Sequence, residues 1–313
     1  MAALRIVIDT DPGIDDAVAL LVALAARERL DVLGITTVAG NVPLSLTTAN
    51  ALRIVELAGR TDVPVHAGAS APLHHALSTA DRVHGKDGLA GSGLPAPTRS
   101  AADPHAVAFL VDTLARASAR SITLCALGPL TNLGLAFAQA PAITQSVERI
   151  VLMGGARDLG NVTPAAEFNF YVDPDAAAAV FGAGIPIVMH GLHVTHQAIA
   201  TPERVARIAA LGTPVARAVA GMLGRSRPDA RERYGADGGP LHDPCVIAFL
   251  LWPELFAGRD CHVDIDTRGG PTLGRSTIDW WDALGLEPNA HVIDRIDADG
   301  YFERLTATLA RLR

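Results

Sequence analysis

Cysteine is scarce in this 313-residue chain: Cys125, Cys245 and Cys261 stand far apart and are odd in number. None has the paired spacing of a zinc knuckle or a redox dithiol. That argues against a disulfide framework and leads us to expect three buried free thiols in a reducing compartment. Long apolar runs are also missing. The longest, residues 17–26, falls well short of the ~20 residues that span a bilayer, and the acidic Asp9 arrives before any signal-peptide pattern develops. No membrane association and a cytoplasmic location are therefore expected. Basic blocks are absent as well. Lys plus Arg number 26 against 33 Asp plus Glu, a net charge of −7, which disfavours nucleic acid as a partner and favours a small molecule. Apolar residues, by contrast, make up 49% of the chain, enough for a sizeable core.

Strand-like runs recur at residues 4–8, 33–38, 122–127, 150–153 and 185–189. Helical patterns separate them at 17–30, 44–58, 104–117, 131–138, 174–181 and 202–210. This alternation predicts an α/β fold with a mostly parallel central sheet and helices on both faces, Rossmann-like, built as one domain over residues 1–313. Ligands of such sheets bind outside the carboxyl ends of the strands. Residues 71–102, rich in Gly, Pro, Ser and His, have no clear period and read as a long loop of the kind that serves as a lid. Residues 225–241 are weakly patterned too.

The densest chemical signal follows the first strand: Asp9-Thr10-Asp11-Pro12-Gly13-Ile14-Asp15-Asp16. Four carboxylates in eight positions repel one another unless a cation neutralises them, and their oxygens suit a hard divalent ion, Ca²⁺ or Mg²⁺. Pro12-Gly13 supplies a sharp turn that lets Asp11 and Asp16 face one cavity. Helix capping would explain one of these carboxylates and leave three.

Other polar groups gather at strand ends: Gly40-Asn41, Gly128-Pro129-Leu130-Thr131-Asn132, Gly154-Gly155 with Asn161, and His190, His193 and His196. Glu167-Phe168-Asn169 places an acid and an amide around an aromatic, a grouping able to hold sugar hydroxyls beside an apolar contact; a polar loop before a helix cap at Asp173-Pro174 explains it equally well. In His242-Asp243-Pro244-Cys245, Asp243 reads as a helix N-cap with Pro244 at the first helical position. The same pair also suits a metal ligand next to a general acid. His193 and His196 read as structural.

Taken together, the chain resembles the inosine-uridine preferring nucleoside hydrolases. The resemblance rests on the Asp9–Ala17 signature, Val38-Ala39-Gly40-Asn41, His84-Gly85-Lys86-Asp87-Gly88-Leu89, Gly128-Pro129-Leu130-Thr131-Asn132, Met153-Gly154-Gly155, Asn161, Glu167-Phe168-Asn169, Val194-Thr195-His196 and His242-Asp243-Pro244-Cys245, in the family's order. It implies Ca²⁺-dependent cleavage of the N-glycosidic bond of ribonucleosides through an oxocarbenium-like transition state. Asp11, Asp16, Asp243 and the Leu127 carbonyl would ligate the ion. Asp11 would take a proton from the attacking water. Asp15, Asn41, Asn161, Glu167 and Asn169 would hold the ribose hydroxyls, with Met153 beneath the sugar. His242 would protonate the departing base and His84 would help cover it. A homodimer or homotetramer is also implied.

Residues 226–234, which in the family bring side chains over the base, contain one aromatic, Tyr234. Tyr234 and the His84-Gly85-Lys86 variant resemble the pyrimidine-preferring members, whereas Ala230 lacks a side chain that some of them use. Two other readings compete. A non-catalytic Ca²⁺-dependent nucleoside or sugar binder would need neither Asp11 nor His242. A Mg²⁺-dependent phosphoryl-transfer enzyme of the haloacid dehalogenase type, with the first Asp of Asp9-x-Asp11 as nucleophile, leaves Asp15-Asp16 and His242-Asp243 without a role.

Overall fold

The computed structural model describes residues 3–224 and 230–312. Its central sheet begins with Leu4–Thr10 (β1), in which successive side chains enter opposite layers: Ile6 and Ile8 join one buried cluster and Val7 the other. A strand buried on both faces needs apolar residues at nearly every position, which is why it reads as a continuous hydrophobic run. Leu30–Thr37 (β2), Val65–Ala67 (β3), Ile122–Ala126 (β4), Val147–Met153 (β5) and Ile187–His190 (β6) extend it. The order is β3-β2-β1-β4-β5-β6, then Ala290–Ile296, then Phe256–Cys261 at the edge. Every neighbouring pair is parallel except the last.

β1 pairs with β2 on one side and β4 on the other. The chain therefore reverses its progress across the sheet at β1, and a crevice opens at the carboxyl ends there. Helix α1, Ile14–Ala25, leaves this crevice with all twelve residues buried, Asp15 and Asp16 included. It packs against Pro244–Leu251, which carries the His242-Asp243 pair into the same place.

Several element ends differ from the sequence reading. The helix expected at 17–30 starts at Ile14 and ends at Ala25, because Leu30 pairs with Leu4 and opens β2. The strand expected at 185–189 runs from Ile187 to His190, since Pro186 has no N–H for the ladder. The loop at 71–102 holds one short helix, Asp81–His84. Residues 225–229 of the second weak region lie outside the described residues, and Ala230–Tyr234 is helical. All three cysteines are buried and free. Among the described residues no helix is long and apolar enough to cross a membrane.

His190 closes β6 with its ring fully buried, edge-on to Phe249 and Phe256 at 5.4 Å each, and among the described residues neither ring nitrogen has a hydrogen-bond partner. Burial holds its pKa down to about 3. The unfolded chain protonates this histidine below about 6.5 while the native state does not, so its contribution is intact above that pH and is lost as pH falls toward 3. The limiting slope is about 1.4 kcal/mol per pH unit. His190→Leu should therefore flatten the loss of denaturant-measured stability between pH 6.5 and 4.5. Parallel pH profiles for the two proteins would show that His190 does not stay neutral in the native state.

Candidate active site

The turn after β1 folds so that its carboxylates converge. Asp16 occupies the third helical position of α1, where its Oδ2 accepts the Gly13 amide at 3.0 Å and its Oδ1 accepts the Thr10 hydroxyl at 2.6 Å. Asp11 is wholly buried, with Oδ2 accepting the Asn41 backbone amide at 2.7 Å and Oδ1 lacking any partner among the described residues. Gly40 and Gly128 flank it, and a Cβ on either would come no farther than 2.5 Å from an Asp11 oxygen. Asp243 reaches the same point from the start of Pro244–Leu251. Asp243 holds the N-cap position with Pro244 at the first helical position, as the sequence suggests, but its side chain makes no capping bond to the described residues and joins the cluster instead. Oxygens of Asp15, Asp16 and Asp243 lie within 4.8 Å of one another.

Unit charges at that separation repel by roughly 3 kcal/mol per pair at an effective dielectric constant of about 20. Burial and this mutual repulsion push the carboxyls of Asp11, Asp16 and Asp243 above their ordinary range. An all-oxygen donor set, the unpartnered Oδ1 of buried Asp11 and excess negative charge fit a hard divalent cation. Asp9 plays a different part. Its Oδ1 accepts from Thr36 Oγ1 at 2.5 Å and Asn132 Nδ2 at 2.7 Å, tying β1 to β2 and to the helix after β4.

Above the cluster lies a cavity of about 850 Å³. It is lined by every residue expected to meet the substrate: Asp15, Asn41, His84, Met153, Asn161, Glu167, Phe168, Asn169, Tyr234 and His242. Leu127 and Asp243 line it as well, while Asp11 and Asp16 sit beneath the lining. The two buried amides are oriented by their partners. Asn41 Nδ2 donates to the Asp11 carbonyl and to Asp16 Oδ2, both at 3.1 Å; Asn169 Nδ2 donates to the Leu127 carbonyl at 2.8 Å and the Met153 carbonyl at 3.0 Å. With both amide hydrogens committed, each offers a ligand only its carbonyl oxygen. Asn161 is the reverse, since its Oδ1 accepts the Phe168 amide at 2.9 Å and leaves N–H groups to donate.

Glu167 caps Phe168–Val172: Oε1 accepts from Asn169 N and Oε2 from Gly155 N, both at 2.9 Å. Burial nevertheless lifts its pKa to about 7. The Asp173 cap expected downstream is also present, accepting the Ala176 amide. Glu167 and Asp173 thus both cap helices, and Glu167, Phe168 and Asn169 line the cavity as well.

At the His242 end of the cavity, Nδ1 of this ring is 2.7 Å from Thr195 Oγ1. His196, read as structural, lies with its ring centroid 5.6 Å from His242 and 5.0 Å from Tyr234, so it backs this end of the site. His84 is buried rather than solvated, and its Nδ1 accepts the Ile14 amide at 3.0 Å. The sequence reading missed Arg82, Tyr171, Met222, Leu223 and Arg233, which also line the cavity. Arg233 adjoins Tyr234 and was within reach; Met222 and Leu223 end an apolar helix, Pro214–Leu223, that carries no chemical signal.

Residues 6–303 match the model of the family described as inosine-uridine preferring nucleoside hydrolase. The chain is similar to the pyrimidine-specific ribonucleoside hydrolase RihA of Shewanella sp. (strain ANA-3), 47% identical over 97% of this chain and 96% of that one. It is 46% identical to RihA of Escherichia coli (strain K12) over 98% of both chains. Among solved structures, the purine-preferring ribonucleoside hydrolase from Gardnerella vaginalis superposes with a TM-score of 0.90 at 30% identity, covering 98% of each chain.

The carboxylate cluster makes its own forecast. Asp243→Asn removes one repelling charge and one candidate ligand, so in chelator its melting temperature should equal or exceed that of the wild type, and it should respond less to added Ca²⁺ or Mg²⁺. A wild-type melting temperature unchanged by either ion, measured by scanning calorimetry, would contradict a cation site.

Proposed function

The chain belongs to the inosine-uridine preferring nucleoside hydrolase family and is a ribonucleoside hydrolase, and on that premise we propose that it works with Ca²⁺ and favours pyrimidine nucleosides such as uridine over inosine. The observation that carries this reading is one cavity, at the strand-order reversal beside β1, that brings carboxylate and amide oxygen acceptors together with His84 and His242. We assign Asp11, Asp16, Asp243 and the Leu127 carbonyl to the ion. Asp11 contributes the unpartnered oxygen, and Asp15, which faces the cavity, is left for the sugar. When bound, Ca²⁺ would supply the positive charge that keeps these carboxylates ionised, and would make both a water and the ribose hydroxyls more acidic.

The residues of the chain divide the remaining work. Asp15, Glu167 and the carbonyl oxygens of Asn41 and Asn169 accept from ribose hydroxyls, and Asn161 donates to a sugar oxygen. Met153 and Phe168 pack against the sugar's apolar surface. Water attacks the anomeric carbon as the glycosidic bond breaks, and its electron pair leaves with the base. Asp11 takes the proton from that water, and His242 gives one to the base. Positive charge grows on the sugar in between, so a ring of acceptors stabilises the transition state more than the neutral nucleoside. Kinship to pyrimidine-specific hydrolases at 46–47% identity, against 30% to a purine-preferring one, supports the base preference. Tyr234 at the His242 end supports it too. Assembly as a homodimer or homotetramer is proposed from family resemblance.

Release of free ribose over a nucleoside panel tests this reading. Uridine should have a kcat/KM at least equal to that of inosine, and inosine favoured tenfold would overturn the preference. Deoxyuridine should be a poor substrate, by up to ~10⁴-fold, because the acceptors meant for the missing hydroxyl are left unpaired. His242→Ala should slow uridine by ~10²–10⁴-fold yet spare p-nitrophenyl riboside, whose leaving group departs as a stable anion. Equal losses on both substrates would place His242 in positioning rather than proton transfer.

A further inference from the structure

Asn50 lies outside the cavity lining, yet it is fully buried in the helix Leu44–Leu57 and its amide bridges two segments that the site needs together. Nδ2 donates to the Pro12 carbonyl at 3.0 Å, within the turn that carries the carboxylates, and to the Asp87 carbonyl at 2.8 Å, within the strap at residues 81–90. Arg53 Nη1 donates to Asn50 Oδ1 at 2.8 Å, which fixes the amide so that both hydrogens face those carbonyls. An exchange of the amide's oxygen and nitrogen would set oxygen against two carbonyl oxygens and nitrogen against a guanidinium.

The strap is built to approach this amide. Gly88 adopts φ +81°, and a Cβ there would stand 2.7 Å from Asn50 Nδ2. Leu89, 1% exposed, drives the strap into the core, and the Ala90 amide returns to the His84 carbonyl at 3.1 Å. His84 itself accepts the Ile14 amide, two residues beyond Pro12. A backbone amide can only donate, so a neutral His84 carries its proton on Nε2. The strap and the carboxylate turn are thus joined at His84–Ile14 and at Asp87–Asn50–Pro12.

We infer that Asn50 is a positioning residue, holding His84 against the carboxylate turn by bridging the Pro12 and Asp87 carbonyls. The inference rests on the reading of His84 as a site residue. Displacing a contributing group by about 1 Å can cost roughly 10²-fold in rate. Asn50→Asp keeps the side chain's size, removes both donors and sets an oxygen against two carbonyls. Gly88→Ala attacks the same contact from the strap and carries the test if Asn50→Asp does not fold.

Hydrogen exchange by mass spectrometry reads the strap without catalysis. In both variants the amides of residues 84–90 should exchange faster, while those of β1 and β4 keep wild-type rates. The kcat/KM for uridine should fall roughly 10²-fold. In a His84→Ala background Asn50→Asp should add no further loss, because Asn50 acts through His84. Wild-type exchange at 84–90 in both variants, or fully additive losses with His84→Ala, would overturn the inference. If the wild-type protein releases no ribose at all, the hydrolase mechanism fails, and the exchange measurement still decides whether Asn50 holds the strap.

Discussion

The repulsion among buried carboxylates is the constraint around which this site is arranged. Asp11, Asp15, Asp16 and Asp243 come from two places in the chain and are all buried at the floor of the cavity, Asp15 and Asp243 in its lining and Asp11 and Asp16 beneath it, with little water to screen them. Such a cluster stays ionised only beside a cation and a frame of donors. The frame is visible: the Thr10 hydroxyl and the Gly13 and Asn41 amides each donate to a carboxylate. Small residues on both sides of Asp11 let the β2 and β4 loops close over it. Below them, Asp9 locks the strand ends through Thr36 and Asn132.

The same arrangement separates the competing chemistries. A phosphoryl-transfer enzyme of the Asp-x-Asp type would use Asp9 as an exposed nucleophile. Here Asp9 is 1% exposed, committed to two hydrogen bonds and outside the cavity lining. A simple sugar binder would be served by the acceptors alone. His242, bonded to Thr195 and backed by His196 and Tyr234, lines the same cavity, and a binder would have no use for the proton donor that the proposed mechanism makes of it.

Much of this was legible in the sequence because the signals are local. Four carboxylates on one turn, polar residues at successive strand ends and continuous apolar strands each follow from short-range pattern. What was not legible depends on tertiary pairing. Leu30 belongs to a strand only because Leu4 lies beside it, and Val65–Ala67 is too short to carry a period. Asp243 has every local mark of an N-cap, yet the carboxylate cluster claims its side chain instead. His196 looked inert because nothing in its neighbourhood along the chain announces His242, 46 positions away. Met222 and Leu223 reach the cavity as ordinary apolar residues at the end of a helix.

In the proposed mechanism a cation makes the carboxylate floor usable, and the direct measurement is ribose release from uridine by protein stripped of metal and verified free of it by elemental analysis. Turnover should be lost in the stripped protein and return on titration with Ca²⁺, saturating near one ion per chain. Full turnover in the verified metal-free protein would contradict it.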